Sequence, residues 1–241
     1  MSPMPDRQPD VTVIVPALNE EDTIGEVVER LLKVPLDTQV IVVDDGSHDK
    51  TPEVLRSFED RILVITNAKR GGKGAAIRQA LPHAKGRATI IQDADLEYLP
   101  EEIPNVVRSI LDGRESVVYG TRFSSGMPSG MALPNLIVNV LLAWAVRLLY
   151  FRRITDEATC YKAFRTDLLQ SMDLECQRFE FCPEATAKAI RLGERIAEVP
   201  ITYIPRSKQA GKKIRWTDAP EAFWTLLKHR WWRGSPKKPG P

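Results

Sequence analysis

Short runs of β-branched and other apolar residues alternate with amphipathic stretches over the first 120 residues, and this alternation restricts the fold more than any other feature of the chain. Five of the runs have the length of buried strands: Val11–Val15, Val40–Val43, Ile62–Ile65, Ala88–Ile91 and Val117–Tyr119. Strands that are apolar on both faces and separated by helices form mainly parallel sheets with helices on both sides. The sequence therefore predicts an α/β, Rossmann-like fold.

The stretches between and after these strands carry helix signals. The predicted helices cover Glu20–Lys33, a segment that starts at Thr51-Pro52, Gly74–Ala84, a segment that follows Pro100, Leu133–Phe151, Pro183–Leu192 and Ala219–Trp232. A further strand is predicted over Arg195–Thr202.

A chain of 241 residues is long enough for one large α/β domain. We expect residues 1–10 to be disordered and residues 11–216 to form the domain. Its halves are predicted at 11–122 for the nucleotide and 123–216 for the acceptor, with residues 217–241 forming a C-terminal amphipathic helix and a basic tail.

Polar, acidic or glycine-rich residues follow every predicted strand of the first half. The segments are PALNE, DDGS, NAKRGGKG, QDAD and GTRF. Because ligands of open α/β sheets bind beyond the carboxyl ends of the strands, we expect the functional site at this edge.

The acidic residues Asp93, Asp95 and Glu97 alternate directly after a buried strand. In an extended segment their three carboxylates would point to one side, where a cation between them would relieve their repulsion. Oxygen ligands favour Mg²⁺ or Mn²⁺, with positions left open for a diphosphate. The sequence therefore predicts a metal site at Asp93, Asp95 and Glu97.

Two other strand ends carry groups suited to a nucleotide. Asp44 and Asp45 can accept hydrogen bonds from a nucleobase or a ribose, although the same residues also suit a helix-capping turn. Gly72 and Lys73 precede a helix in a glycine-rich turn that suits phosphate or sugar oxygens, without the spacing of a P-loop. Arg122 would add a cation near the same place.

Other features of the sequence argue against a disulfide framework, a secretory signal and a serine nucleophile. Three cysteines are too few for a disulfide framework and are expected to fill the core, while the three histidines are expected at the surface. These residues are Cys160, Cys176, Cys182, His48, His83 and His229. The segment MSPMPDRQPD lacks the apolar region of a secretory signal, and no G-x-S-x-G motif suggests a serine nucleophile.

Membrane attachment is predicted from the second half of the chain. The apolar helix Leu133–Phe151 places Asn135, Asn139 and Arg147 on one face, and from Arg206 onward ten basic residues outnumber two acidic ones. This pattern is compatible with peripheral attachment to an anionic surface. The alternative is a helix packed on its own domain. Nucleic acid is not an expected partner, because no motif of a nucleic-acid-binding fold is present.

The segments VIVPALNEEDTI, VIVVDDGSHDKT, GGKGAAIRQAL and QDADLEY, in this order, resemble a family 2 glycosyltransferase with the GT-A fold. The segments YGTRF, TDEATCYKAFR, FEFCPEATAK and EVPITYIPRS extend the resemblance over residues 11–216. DADLEYLPEE, TCYKAFR and GKKIRW resemble the dolichol-phosphate mannose synthase-like branch, in which a sugar moves from GDP- or UDP-sugar to a polyprenyl phosphate. The chain departs from that branch at Leu99, where Asp is usual.

The resemblance implies roles for individual residues. It implies that Pro16, Leu18 and Glu20 line the base and ribose, that Asp44 or Asp45 contacts the base, and that Asp93 is the first acid of the family's DxD motif. Gly72 and Lys73 of the glycine-rich turn remain candidates for binding the nucleotide sugar. It implies that Asp95 binds the metal, and that Arg122 and Arg206 lie near the diphosphate and the acceptor phosphate. The candidate acceptor residues are Asn135, Asn139, Asp156, Glu184, Lys212 and Lys213.

The expected function is metal-dependent, inverting transfer of a sugar to a polyprenyl phosphate at the cytoplasmic face of a membrane. The sequence does not decide whether the protein is a monomer or a homodimer. The alternative is a soluble glycosyltransferase with a small-molecule or glycan hydroxyl acceptor, for which Glu184 or Asp156 would be the base. A sugar nucleotidyltransferase is disfavoured, because PALNE stands where its G-x-G-x-R loop would lie. A non-catalytic lipid-binding module would require that metal and nucleotide both fail to bind.

Overall fold

A computed structural model describes residues 8–124, 126–128, 130–205 and 219–234. The strands are β1 (Val11–Ala17), β2 (Thr38–Asp44), β3 (Leu63–Thr66), β4 (Ala88–Ile91), β5 (Val117–Thr121), β6 (Lys162–Arg165) and β7 (Ile196–Pro200). Within this part of the chain they form a seven-stranded sheet of order β3-β2-β1-β4-β6-β5-β7. The predicted α/β fold with a mainly parallel sheet is confirmed.

The helices cover the sheet and alternate with its strands. They are α1 (Ile24–Leu31), α2 (Thr51–Arg56), α3 (Lys73–Ala80), α4 (Ile103–Leu111), α5 (Leu133–Tyr150), α6 (Thr166–Ser171), α7 (Phe181–Arg191) and α8 (Ala219–Lys228). Short 3₁₀ turns follow α3 and α8 and precede α4, at Leu81–His83, His229–Trp231 and Pro100–Glu102.

The core lies where the apolar runs of the sequence meet. β1 pairs in parallel with β2 on one side and β4 on the other, and its apolar side chains are buried on both faces. α1 adds Ile24, Val27, Val28 and Leu31, a helical spacing that places all four on the buried face. The strand order reverses at β1, which creates a crevice at the carboxyl ends of β1 and β4.

One strand was missed by the sequence analysis. β6 has four residues, KAFR, and lies antiparallel between β4 and β5. A run this short with a basic residue at each end does not predict a strand from periodicity. Lys162 is nevertheless buried, because its ammonium donates to the carbonyl of Glu157 and lies 3.5 Å from the centre of the Tyr119 ring.

Helices α5, α7 and α8 form a second, smaller apolar cluster. Its buried members include Leu142, Val146 and Tyr150 of α5, Ala187 of α7 and Leu226 of α8. α5 is long and apolar enough to cross a membrane, judged by length and composition alone. The contacts with α7 and α8 nevertheless pack one face of α5 against its own domain.

The outward face of α5 is apolar. Its exposed side chains include Leu133, Ile137, Val140, Leu141, Trp144 and Leu148, and Phe151 is exposed directly after the helix. The predicted polar residues of this helix do not share one environment, because Asn139 is buried while Arg147 is exposed. Asn139 accepts from the backbone N–H of Ala158 at 2.8 Å and thereby anchors the segment before β6.

Near the ends of the chain, the structure differs from two predictions and leaves others outside the described residues. Ordered backbone starts before the predicted boundary at residue 11, since Pro9 accepts from Arg87 N–H and Asp10 from Ala88 N–H. His229 is buried rather than exposed as predicted. The predicted site residues Arg206, Lys212 and Lys213, and the tails 1–7 and 235–241, lie outside the described residues.

Candidate active site

A cleft of about 450 Å³ lies at the carboxyl ends of the central strands. It brings together most of the residues predicted from the sequence: Pro16, Leu18, Glu20, Asp45, Gly72, Lys73, Asp93, Asp95, Glu97, Arg122 and Asn135 line it. β1, β2, β4 and β5 each end at this edge, so residues far apart in the sequence become neighbours. The cleft is the candidate active site.

The carboxylate of Asp45 holds the glycine-rich turn in place through hydrogen bonds. Its Oδ1 accepts from Gly71 N–H at 2.8 Å and from Asn67 Nδ2 at 3.1 Å, while Oδ2 accepts from Gly72 N–H at 2.7 Å. Gly72 has φ of 99°, and a Cβ there would collide with the carbonyl of Gln177. Only glycine therefore suits this turn, and Asp45 is occupied in holding it.

Asp44 is buried and is not among the residues that line the cleft. Its Oδ1 accepts from Ser47 N–H at 3.0 Å in the turn after β2, whereas the N-cap of α2 is Lys50, so the helix-capping alternative for Asp44 is not observed. Its Oδ2 has no hydrogen-bond partner among the residues that the structure describes. A contact between Asp44 and a nucleobase stays a prediction, for which that oxygen provides an unused acceptor.

Lys73, the first residue of α3, connects the glycine-rich turn to the acidic strand end. Its ammonium forms an ion pair with Asp93 Oδ1 and lies 2.9 Å from Cys160 Sγ. Both charged side chains are largely buried in the wall of the cleft. A phosphate bound at the glycine-rich turn would therefore meet a cation already fixed by Asp93.

The acidic segment does not have the extended backbone expected from the sequence. Residues 94 and 95 form a turn, and Leu96 has φ of 60°. The Asp95 carboxylate accepts from Glu97 N–H at 3.1 Å, and Glu97 accepts from the Tyr203 hydroxyl at 3.3 Å. The alternation of the three acids thus does not place them on one side of a strand.

The three acids nevertheless fit a hard cation in part. Among the described residues, no three carboxylate, imidazole or thiol groups close around one point. Mg²⁺ is commonly bound by one or two carboxylates, with phosphate oxygens and water as the other ligands. Asp95 and Glu97 lie at the cleft and could supply such ligands, whereas Asp93 is paired with Lys73.

Arg122 follows β5 and is fixed by Asp156. The guanidinium donates through Nε and Nη2 to both oxygens of the carboxylate, each at 2.7 Å, and Arg122 N–H adds a third bond at 3.0 Å. Asp156 is fully buried, and its own N–H donates to Glu198. Asp156 is therefore a positioning residue for Arg122, in contrast to the prediction that it contacts the acceptor.

Glu184 lies in α7 and is likewise buried away from the cleft lining. It forms an ion pair with Lys188 at 2.6 Å and accepts from the N–H groups of Glu175 and Cys176. These bonds fix the segment that precedes α7. The predictions of an acceptor role for Glu184 and Asn139 are not supported by their positions, because buried hydrogen bonds occupy both side chains.

The cleft also contains side chains that the sequence analysis missed. These are Arg70, Tyr98, Arg178, Phe179 and Tyr203, among others. Backbone hydrogen bonds to the start of α3 position Arg178 at the cleft. Its carbonyl accepts from Gly74 N–H at 2.8 Å, and the Gln177 carbonyl accepts from Ala75 N–H at 3.0 Å. Tyr203 lies under Arg122, with the guanidinium 5.2 Å from the ring centre. No periodicity signals such long-range contacts.

Glu157 is a buried carboxyl next to the cleft, and burial raises its pKa to about 7 from an ordinary 4.5. As pH rises the unfolded chain loses this proton first, so stability falls between about pH 4.5 and pH 7. Across this pH range, the free energy of unfolding of Glu157→Gln should therefore fall by about 3 kcal/mol less than that of wild type. Urea denaturation at pH 5 and pH 8 measures the effect, with exposed Glu59→Gln as the control. An unchanged pH dependence in Glu157→Gln would contradict it.

Comparison with known proteins gives an independent view of the fold. The family model described as Glycosyl transferase family 2 matches residues 12–172. A solved structure of glucosyl-3-phosphoglycerate synthase from Mycobacterium tuberculosis superposes with a TM-score of 0.70 at 23% identity, covering 92% of this chain and 80% of that one. That structure holds Mn²⁺, UDP-glucose and phosphoglyceric acid.

Two curated relatives match most of this chain. The low-salt glycan biosynthesis hexosyltransferase Agl6 of Haloferax volcanii is 30% identical over 85% of this chain and 50% of its own length. A dolichol-phosphate mannosyltransferase of Pyrococcus furiosus is 26% identical over 85% of this chain and 60% of its own length. The chain thus spans about half the length of the curated relatives that it matches.

Proposed function

The chain belongs to glycosyl transferase family 2, and from that premise we propose that it transfers a sugar, with inversion, from a nucleotide sugar to a polyprenyl phosphate at a membrane surface. The observation that carries the proposal is the convergence of the acidic turn, Lys73 and Arg122 in one cleft. Carboxylates and fixed cations together match a sugar diphosphate and the ion that accompanies it.

The reaction breaks the bond between sugar C1 and the diphosphate oxygen, so negative charge develops on the leaving group. A divalent ion bound at Asp95 and Glu97 would supply Lewis-acid stabilisation of that charge. Lys73 and Arg122 would stabilise the same charge from the protein side. Since Asp93 and Asp156 hold these cations in place, little reorganisation is needed when the charge appears.

The positions of the two carboxylates predicted as bases support a phosphate acceptor. Asp156 is bound bidentately by Arg122, and Glu184 is paired with Lys188, so neither is placed to deprotonate a hydroxyl in the cleft. A phosphomonoester is already ionised near pH 7 and needs no strong base. Attack from the face opposite the diphosphate inverts C1. A phosphate acceptor therefore suits the cleft better than a hydroxyl.

A lipid-linked acceptor is supported by the position of α5. Asn135 and Val138 of this helix line the cleft, while Leu141 and Trp144 project outward into an apolar face. The exposed Arg147, in the same helix, suits anionic headgroups. In the proposal, α5 lies in the membrane interface on the cytoplasmic side and the cleft opens toward the lipid phosphate.

The test is a transfer assay with purified protein, Mg²⁺ or Mn²⁺ and a short polyprenyl phosphate. Labelled GDP-mannose, UDP-glucose and UDP-N-acetylglucosamine are supplied separately, with EDTA as the control. We expect label from one donor to enter the organic phase and EDTA to abolish the transfer. Transfer that persists in EDTA would contradict the role of a metal, and label that stays in water would contradict the lipid acceptor.

Substitution of the apolar face tests membrane binding. Trp144→Glu should lower the fraction bound to anionic vesicles about tenfold, because it replaces an apolar contact worth roughly 1.5–3 kcal/mol with a charge. Flotation measures the bound fraction, and nucleotide binding should not change. Leu63→Glu, at an exposed leucine of β3, is the matched control. Equal loss of nucleotide binding in Trp144→Glu would instead indicate a buried structural role.

A second candidate is a water-soluble acceptor that bears a phosphate. It is supported by the mycobacterial synthase, whose structure holds phosphoglyceric acid together with UDP-glucose. The cleft chemistry would be the same, because the attacking group would again lie near Arg122. Label that moves to a water-soluble product in the assay above would favour this candidate.

A further inference from the structure

Two buried cysteines lie side by side behind the wall of the cleft. Cys160 precedes β6 and Cys182 is the second residue of α7, and their sulfurs are 4.0 Å apart. Their residues are 3% and 7% exposed. The sequence analysis treated both as core fillers, which accounts for their burial but not for their pairing.

The pair is connected to the cleft on one side. Cys160 lines both the cleft and a neighbouring chamber of about 80 Å³, which Cys182 also lines. The Cys160 sulfur is 2.9 Å from the Lys73 ammonium, which in turn is paired with Asp93. A small solute in the cleft therefore meets Cys160, and a change at its sulfur reaches Lys73 directly.

We propose that Cys160 and Cys182 form a redox-reactive dithiol, which a hydroperoxide oxidises to a disulfide that weakens binding at Lys73. In the first step the thiolate of one cysteine attacks the peroxide, forming a sulfenic acid and releasing water after protonation. The thiol of the other cysteine then attacks that sulfur and displaces a second water. Two thiols and one H₂O₂ thus give one disulfide and two H₂O.

The surroundings of the pair supply positive charge that favours a thiolate. The Lys73 ammonium lies 2.9 Å from the Cys160 sulfur, and contact with Cys160 and the charges of Lys162 and Lys73 lower the pKa of Cys182 against the effect of burial. Thiolate character is what makes a cysteine react with peroxide. The other thiol, whose sulfur is 4.0 Å away, is then in place as the resolving thiol.

Disulfide formation would change the cleft through Lys73. An S–S bond is about 2.05 Å long, so the two sulfurs must approach by roughly 2 Å. Cys160 would then move away from Lys73 or lose its capacity as a hydrogen-bond partner for the ammonium. Lys73 begins α3 directly after Gly72, so the shift alters the turn proposed to bind phosphate. This consequence rests on the proposed function, whereas the oxidation itself does not.

Intact-protein mass spectrometry after treatment with H₂O₂ tests the chemistry. We expect wild-type protein to lose about 2 Da, with peptide mapping joining Cys160 to Cys182, and dithiothreitol to restore the mass. Cys176→Ala keeps the pair and should behave like wild type, while Cys182→Ala and Cys182→Ser should not form the bond. Oxidised wild type with free Cys160 and Cys182 would overturn the proposal, whatever the outcome for nucleotide binding.

Nucleotide affinity of the reduced and oxidised proteins tests the consequence. Binding of GDP or UDP should weaken at least tenfold on oxidation and recover with dithiothreitol, in wild type and Cys176→Ala alike. Cys182→Ala and Cys182→Ser should bind with the same affinity before and after peroxide. Equal loss of affinity in the Cys182 variants, or a disulfide without loss in wild type, would refute the link to Lys73.

Discussion

Replacing Asp95 by alanine is expected to lower the rate of sugar transfer by about a hundredfold to a thousandfold while the fold stays intact. Asp95 lies in the turn after β4, at the surface of the cleft, where we propose that its carboxylate holds a cation against the leaving diphosphate. Loss of one group that stabilises transition-state charge typically costs roughly 3–4 kcal/mol. Initial rates at saturating donor measure the effect.

The control for this variant is Asp112→Ala, at an exposed acid whose side chain pairs only with Arg114 among the interactions of the described residues. It should keep wild-type activity. Circular dichroism and thermal unfolding of Asp95→Ala should match wild type. If Asp95→Ala kept more than about a tenth of the activity, a loss below ~1.4 kcal/mol, the assignment of the metal site would be wrong.

Asp156→Asn is expected to lower the free energy of unfolding by about 3–5 kcal/mol and to reduce transfer as well. The substitution leaves the buried Arg122 guanidinium without a matching charge, and breaking a buried pair at one partner typically has this cost. Urea denaturation measures the change as a lower midpoint with an unchanged m-value.

Asp167→Asn provides the comparison, because Asp167 also pairs with an arginine but does so at the surface. The cost there should stay below about 1 kcal/mol. An Asp156→Asn protein as stable as wild type, with altered pH dependence of transfer alone, would contradict the positioning role. That result would return Asp156 to the role of a base.

The strands and the cleft of the first half could be predicted because local signals coincide there. Apolar runs such as Val40–Val43 mark buried strands, and parallel strands place their carboxyl ends at one edge. Sequence order then puts Asp45, Asp93 and Arg122 into the same cleft without any knowledge of side-chain contacts.

The second half could not be predicted to the same depth, because its structure depends on long-range partners. Asn139 and His229 look like surface residues by type, yet both are buried against other elements. Asp156 and Glu184 look like free carboxylates, yet each is paired with a cation that the sequence does not reveal as its partner. Polar groups are buried only where partners satisfy them, and those partners come from tertiary structure.

The antiparallel strand β6 has a consequence for how the protein can be assembled. β4 and β5 do not touch each other through hydrogen bonds; each pairs with β6, whose residues come some forty positions after β5 along the chain. A nascent chain that has left the ribosome only as far as β5 therefore carries an open sheet edge at β4 and an unpaired strand β5, and exposed strand edges are templates for aggregation. Residues 11–122, the predicted nucleotide-binding half, therefore cannot complete their part of the sheet alone, because β4 and β5 are joined only when β6 in the second half has been synthesised.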